Sequence, residues 1–164
     1  MTRAINWGLP LLTLASYLYL AIWLGRQLGA ESGGLMPFDL RITGYDLHAV
    51  RDYLRALTPA GYALYQGPIR VADTVFPALM GLTFLWWMRP LRGGFGMVSA
   101  LSAMAYTAID WGENLFIQRL LQAGPDYVDA SDASGANAFT LAKFAVYVLA
   151  AVLAARASWR RVRG

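Results

Sequence analysis

Asp110-Trp111-Gly112-Glu113-Asn114 places two carboxylates and a carboxamide inside Phe95 to Ile117, a stretch that otherwise reads as a membrane-spanning helix. A charge at bilayer depth costs roughly 2.5–3.5 kcal/mol on insertion scales, so it is seldom there without a partner or a purpose. Whether this stretch spans a membrane decides the fold, and the chain around it points to an answer. Of its 164 residues, 57% are hydrophobic and 15% charged, with a mean hydropathy of +0.41. A soluble domain carries about 25% charged residues. The deficit is concentrated, because long segments carry no charge at all, and that pattern indicates a membrane protein.

The rare residues exclude several kinds of chemistry. Without cysteine there is no disulfide, Cys-ligated zinc, iron–sulfur cluster or dithiol redox centre. A single histidine, His48, argues against His-rich metal sites and rules out a bis-His haem within one chain. No phosphate loop or metal-ligand spacing occurs, so no cofactor and no metal site are expected. The net charge of +4 could suggest nucleic acid, but Arg156, Arg160, Arg161 and Arg163 crowd beside a hydrophobic segment. They read better as a topology signal, and no nucleic-acid partner is expected.

The reading is an all-α integral membrane four-helix bundle, one domain over residues 1–164, with spans at about 5–24, 69–88, 95–117 and 138–155. Ile5 to Leu24 has no charge and spans about 30 Å as a helix, with Gly25-Arg26 expected to end it. Its apolar run exceeds the 7–15 residues of a signal peptide, so an uncleaved helix is expected. Between spans 1 and 2, Leu47, Val50, Leu54 and Leu57 share one helix face. Thr58-Pro59 then reads as an N-cap followed by proline at the first helical position. The result is a non-cytoplasmic loop of two short amphipathic helices, the second ended by Gly67-Pro68. In the second span Pro77 leaves the carbonyl of Asp73 without its helical donor. Residues 118–137 read as an acidic loop, with Asp126, Asp129 and Asp132.

Positive residues at span ends (Arg3, Arg89, Arg92 and the C-terminal arginines) place both termini on the cytoplasmic side of a bacterial inner membrane. Counted from that face, Asp73 and Asp110 stand about 22 Å up and Lys143 about 18 Å. Three helices thus bring charge to nearly one level. Asp110, Glu113 and Asn114 share a face, as do Lys143 and Tyr147. The candidate polar site is Asp73, Asp110, Glu113, Asn114 and Lys143, with Tyr106 and Tyr147 beneath. Asp39, Arg41 and Tyr45 are the candidate lid, Arg41 pairing a carboxylate. Asp110, being deeper, is expected to matter more than Glu113.

Two readings of this cluster stay open. It can be polar glue, since interhelical hydrogen bonds and an Asp–Lys pair satisfy otherwise costly groups. Alternatively, carboxylates in excess over one lysine cannot all ionise easily, and such a group carries protons, binds a cation or acts as a general acid/base. The expected function is binding or accessory, towards a lipophilic ligand or a membrane-protein partner. A proton- or cation-coupled carrier, requiring a homo-oligomer, and an intramembrane acid/base enzyme are the alternatives. Whether any reaction is catalysed is left open.

Pro37-Phe38-Asp39-Leu40-Arg41 with Gly44-Tyr45, Asp73-Thr74-Val75-Phe76-Pro77 and Asp110-Trp111-Gly112-Glu113-Asn114 together resemble motifs in a group of uncharacterised bacterial four-span membrane proteins. Those share an Asp-x-Arg…Gly-Tyr loop and an Asp-x-x-Glu-Asn third span. The resemblance covers roughly residues 37–122. It implies the architecture and the choice of residues, and no activity.

Overall fold

The computed structural model describes residues 2–163, and side chains from 7 to 160. The side chains of Arg3, Arg161 and Arg163, counted above towards orientation, lie outside the described residues. Every regular element among the described residues is helical.

Helix α1 runs through residues 2–31 as Thr2–Leu18, a π-helical turn at Tyr19–Leu24, and Gly25–Glu31. Gly25-Arg26 does not end it, contrary to expectation. Gly25 stays helical at φ −62°, ψ −38°, because Leu24 and Leu28 on either side are buried and their packing outweighs glycine's poor propensity. A 3₁₀ turn at Phe38–Leu40 and helix α2 at Leu47–Ala56 follow. Asp46 caps α2 by accepting from the Ala49 N–H at 2.8 Å. Its apolar face buries Val50, Tyr53 and Leu54.

Thr58 caps the next helix, with Pro59 inside its first turn. The expected stop at Gly67-Pro68 is absent. Helix α3 runs Pro59–Met88, with Pro68 held in a second π-helical turn at Tyr65–Ile69. The wider turn tolerates proline's missing N–H and its clash with the preceding carbonyl. The second short helix is therefore the first turns of α3.

Helix α4 is Gly93–Tyr127, broken only at Gly124 (φ 71°, ψ 177°), and helix α5 is Ala130–Arg163. The 118–137 loop thus shrinks to a turn around Val128 and Asp129. Its polar residues are mostly helical because Leu120 and Leu121 on one side of the turn, and Ala133 and Ala136 on the other, are buried. The acids serve the turn itself. Asp129 accepts from the Ser131 and Asp132 N–H groups, each at 2.8 Å. Those N–H groups, Asp132's first, hold its carboxyl below the usual range. Asp132 meets Arg119 at 3.5 Å.

Three helices, Trp7–Glu31, Pro59–Met88 and Ala130–Arg160, are long and apolar enough to cross a membrane. Their outer faces expose Leu11, Trp23, Val71 and Val152. Exposed apolar helix faces are what lipid solvates, and they mark a membrane protein. α4 has the length, but Asp110, Glu113, Asn114 and its serines dilute its apolar character.

Close contact fixes how α3, α4 and α5 pack. A Cβ on Gly112 would stand 2.3 Å from the Phe139 ring, and one on Gly135 2.4 Å from the Phe116 ring. Each helix of the α4–α5 pair thus seats the other's phenylalanine on a glycine, and the two rings lie 5.4 Å apart. Gly81 lets α3 approach Thr107 of α4 in the same way. α1 leans on α3 and leaves a gap towards α5.

The core is in two parts. One gathers Phe38, Tyr53, Leu54, Ile117 and Leu120; the other Phe84, Met88, Ala103, Ala150 and Leu153. Along α3, α4 and α5 alike, the buried charged residues (Asp73, Asp110, Glu113 and Lys143) fall between these two apolar layers.

Candidate functional site

Proline 77 starts the site. It removes the N–H that would bond the Asp73 carbonyl, and Asn114 supplies the replacement, its Nδ2 donating to Asp73 O at 2.8 Å. Trp111 Nε1 donates to Thr74 O at 3.0 Å and Thr107 Oγ1 to Pro77 O at 3.0 Å. One face of α4 therefore stitches the α3 backbone from Asp73 to Pro77. Asn114 belongs to that seam, and a buried carbonyl left unpaired would cost about 1–3 kcal/mol.

The seam brings Asp110 and Glu113 against α5. Glu113 is wholly buried and Asp110 nearly so. Lys143 forms an ion pair with Glu113 Oε2, lies 3.9 Å from Asp110 Oδ2, and donates to the backbone carbonyl of Asp39 at 3.3 Å. Glu113 Oε1 receives the Thr140 hydroxyl at 2.5 Å. That hydroxyl has one proton, and the carbonyl of Ala136 at 3.0 Å competes for it. The Tyr45 hydroxyl, 3.2 Å away, is therefore left to donate to Thr140. Burial pushes the Tyr45 phenol up, so it keeps that proton. Asp110 Oδ1 has no hydrogen-bond partner, and Glu113 Oε2 meets Lys143 as an ion pair without an aligned hydrogen bond.

Asp73, Asp110, Glu113 and Lys143 thus lie within electrostatic reach of one another. Tyr106 contacts Asp110 through its hydroxyl. It also packs against Tyr147, with ring centroids 5.9 Å apart. Of the lid residues, Asp39 joins the cluster through Lys143 and accepts from the Tyr65 hydroxyl at 3.3 Å. Tyr45 joins through Thr140. Among the described residues Arg41 pairs no carboxylate. Its Nε donates to Met36 O at 2.9 Å, and its guanidinium lies 5.4–5.7 Å from the ring centroids of Phe38, Tyr45 and Tyr53. An aromatic box offers a guanidinium cation–π attraction with little desolvation of the partner. Phe38 plugs this box, fully buried, and so fixes Asp39 over Lys143.

Thr140, Asn137 and Tyr65 are site residues that the sequence reading missed. Asn137 Oδ1 accepts from the Tyr45 N–H at 2.9 Å beside Gly44, whose φ of +82° and Cβ-free surface that contact requires. The available signal was Asn137, Thr140, Lys143 and Tyr147 at helical spacing, hidden by starting the fourth span at residue 138.

A cavity of about 460 Å³ runs down from this cluster. Its walls are Pro10, Leu14 and Tyr17 of α1, Phe76 and Met80 of α3, and Phe144 and Tyr147 of α5. Asp39, Lys143 and Tyr106 form its polar end, and Leu40 helps to roof it. Thr13 and Thr83, their hydroxyls 2.7 Å apart, also line it. It occupies the gap between α1 and α5. Among the described residues no group of His, Cys, Asp and Glu has an arrangement suited to a metal ion. Comparison with protein-family models, curated proteins and solved structures finds no match for this chain.

Proposed function

We propose that the chain is a four-span bundle of a bacterial inner membrane, α4 being the additional span, that binds one lipophilic chain between α1 and α5. The single observation that carries this reading is the cavity itself, apolar along its length and closed at one end by a buried ammonium–carboxylate cluster. Its volume falls within the roughly 300–1,000 Å³ usual for small-molecule sites, which suits one aliphatic or isoprenoid chain. Apolar walls with a few convergent polar groups are the general form of a site that reads a head and tolerates a tail. Both termini are placed in the cytoplasm. Supporting this, Arg89 stacks on Trp86 at 3.8 Å and Arg156 on Phe95 at 4.1 Å, an arginine–aromatic girdle at one end of the bundle. The acidic turn at Asp126, Asp129 and Asp132 lies at the other end.

Native mass spectrometry of the protein extracted with its surrounding lipids tests the reading. One retained adduct per chain is expected, lost when Met80→Trp fills the cavity. An adduct that survives Met80→Trp, or none in the wild type, would leave the cluster as an interhelical ion pair alone.

A further inference from the structure

The polar end of the cavity has a lopsided supply of hydrogen-bonding groups. Resting on the binding role above, we infer that the head group it accepts is a hydrogen-bond donor without negative charge, a long-chain amine before an alcohol, and not a carboxylate or phosphate. Lys143 is the one cation at that end among the described residues, and its ammonium is already surrounded. Glu113 and Asp110 face it as carboxylates, and it donates to the Asp39 carbonyl. Arg41, the nearest alternative, is held by Met36 O and the aromatic box. An anionic head would therefore meet no uncommitted cation at that end among the described residues.

Acceptors, by contrast, are in surplus. Asp110 Oδ1 is buried without a hydrogen-bond partner. Asp39 lines the cavity, and the hydrogen bond found on its carboxylate is at Oδ1, from Tyr65. Four carboxyl groups, on Asp39, Asp73, Asp110 and Glu113, face one lysine. A donor head can pair with Asp39, the carboxylate residue that lines the cavity, while a like-charged head would add repulsion in a poorly solvated place. The selection is made by what the site lacks.

The test uses the full chain in phosphatidylcholine nanodiscs and three hexadecyl probes carrying the same chain diazirine, ending in a primary amine, an alcohol or a carboxylate. After photolysis, labelled peptides are mapped by mass spectrometry. The amine is expected to label the segments around Leu14 and Phe144 at about tenfold lower concentration than the carboxylate, a ratio equivalent to about 1.4 kcal/mol, with the alcohol between. Asp39→Asn should shrink the amine-to-carboxylate ratio severalfold, which separates the site's preference from the probes' partition into the bilayer. Equal labelling by all three heads, a carboxylate that labels best, or a ratio unmoved in Asp39→Asn overturns the head-group assignment while leaving a chain-binding cavity. Should no probe label those segments, the binding role falls too, and the assignment with it. If Asp39→Asn does not fold, the wild-type series still decides.

Discussion

Asn114 donates to the carbonyl of Asp73, the group that Pro77 has deprived of its own helical donor, across 2.8 Å between α4 and α3. The two helices are thus joined at a defect rather than at a regular surface. If that is the bond's role, Asn114→Leu should destabilise the protein by about 1–3 kcal/mol. In a Pro77→Ala background, where residue 77 regains its N–H, the same substitution should cost clearly less. Unfolding of the four proteins in micelles measures the coupling, and equal costs in both backgrounds would contradict it.

Glu113 and Lys143 form a buried ion pair between α4 and α5. Removing one partner leaves a buried charge uncompensated, so Glu113→Gln and Lys143→Met should each cost about 3–5 kcal/mol. The double variant should recover much of that loss. Asp110→Asn should cost less than Glu113→Gln, because Asp110 stands further from the ammonium and one of its oxygens has no partner. Depth alone suggests the reverse order. Melting temperatures of the four variants in one detergent rank them, and an Asp110→Asn melt below that of Glu113→Gln would reject this account.

The seats of Phe139 on Gly112 and Phe116 on Gly135 leave no room for a methyl group. Gly112→Ala and Gly135→Ala should each destabilise the α4–α5 pair by about 1–3 kcal/mol through overpacking. Phe139→Leu should relieve the first and Phe116→Leu the second. Relief by the wrong partner, or none by either, would show that the rings are not what the glycines accommodate.

The chain lacks cysteine, so single introduced thiols report topology without background. Arg92→Cys should react with an impermeant maleimide only from the cytoplasmic side, and Asp126→Cys only from the opposite side. The inverse pattern would invert the orientation, and labelling of both from one side would remove α4 as a span.

How much of this was legible beforehand depended on which signals compete. Charge deficit and uncharged runs have no rival explanation, so the helical, membrane-embedded character could be read directly. The Pro77 defect was also readable, since proline chemistry is local. Several helix ends were not. Gly25, Gly67-Pro68 and the polar stretch after Ile117 all carry breaker signals, and each was overridden by buried neighbours that only the tertiary arrangement reveals. The same limit hid the site's finer wiring. Lys143 stood out as a lone charge, but Thr140 and Asn137 looked ordinary until α5 was seen to begin at Ala130. Arg41 was expected to seek a carboxylate, because counting charges cannot show that Phe38, Tyr45 and Tyr53 assemble a box around it.

The gap between α1 and α5 carries one further consequence. Asp39 and Leu40 of the Phe38–Leu40 turn line the polar end of the cavity, so on the proposed binding role a ligand would enter between α1 and α5 from the bilayer and not from water. Occupancy of such a site is governed by the ligand's share of the surrounding lipid, not by its aqueous concentration. A site of this kind can stay filled with few and weak contacts, because its reservoir is two-dimensional and already enriched.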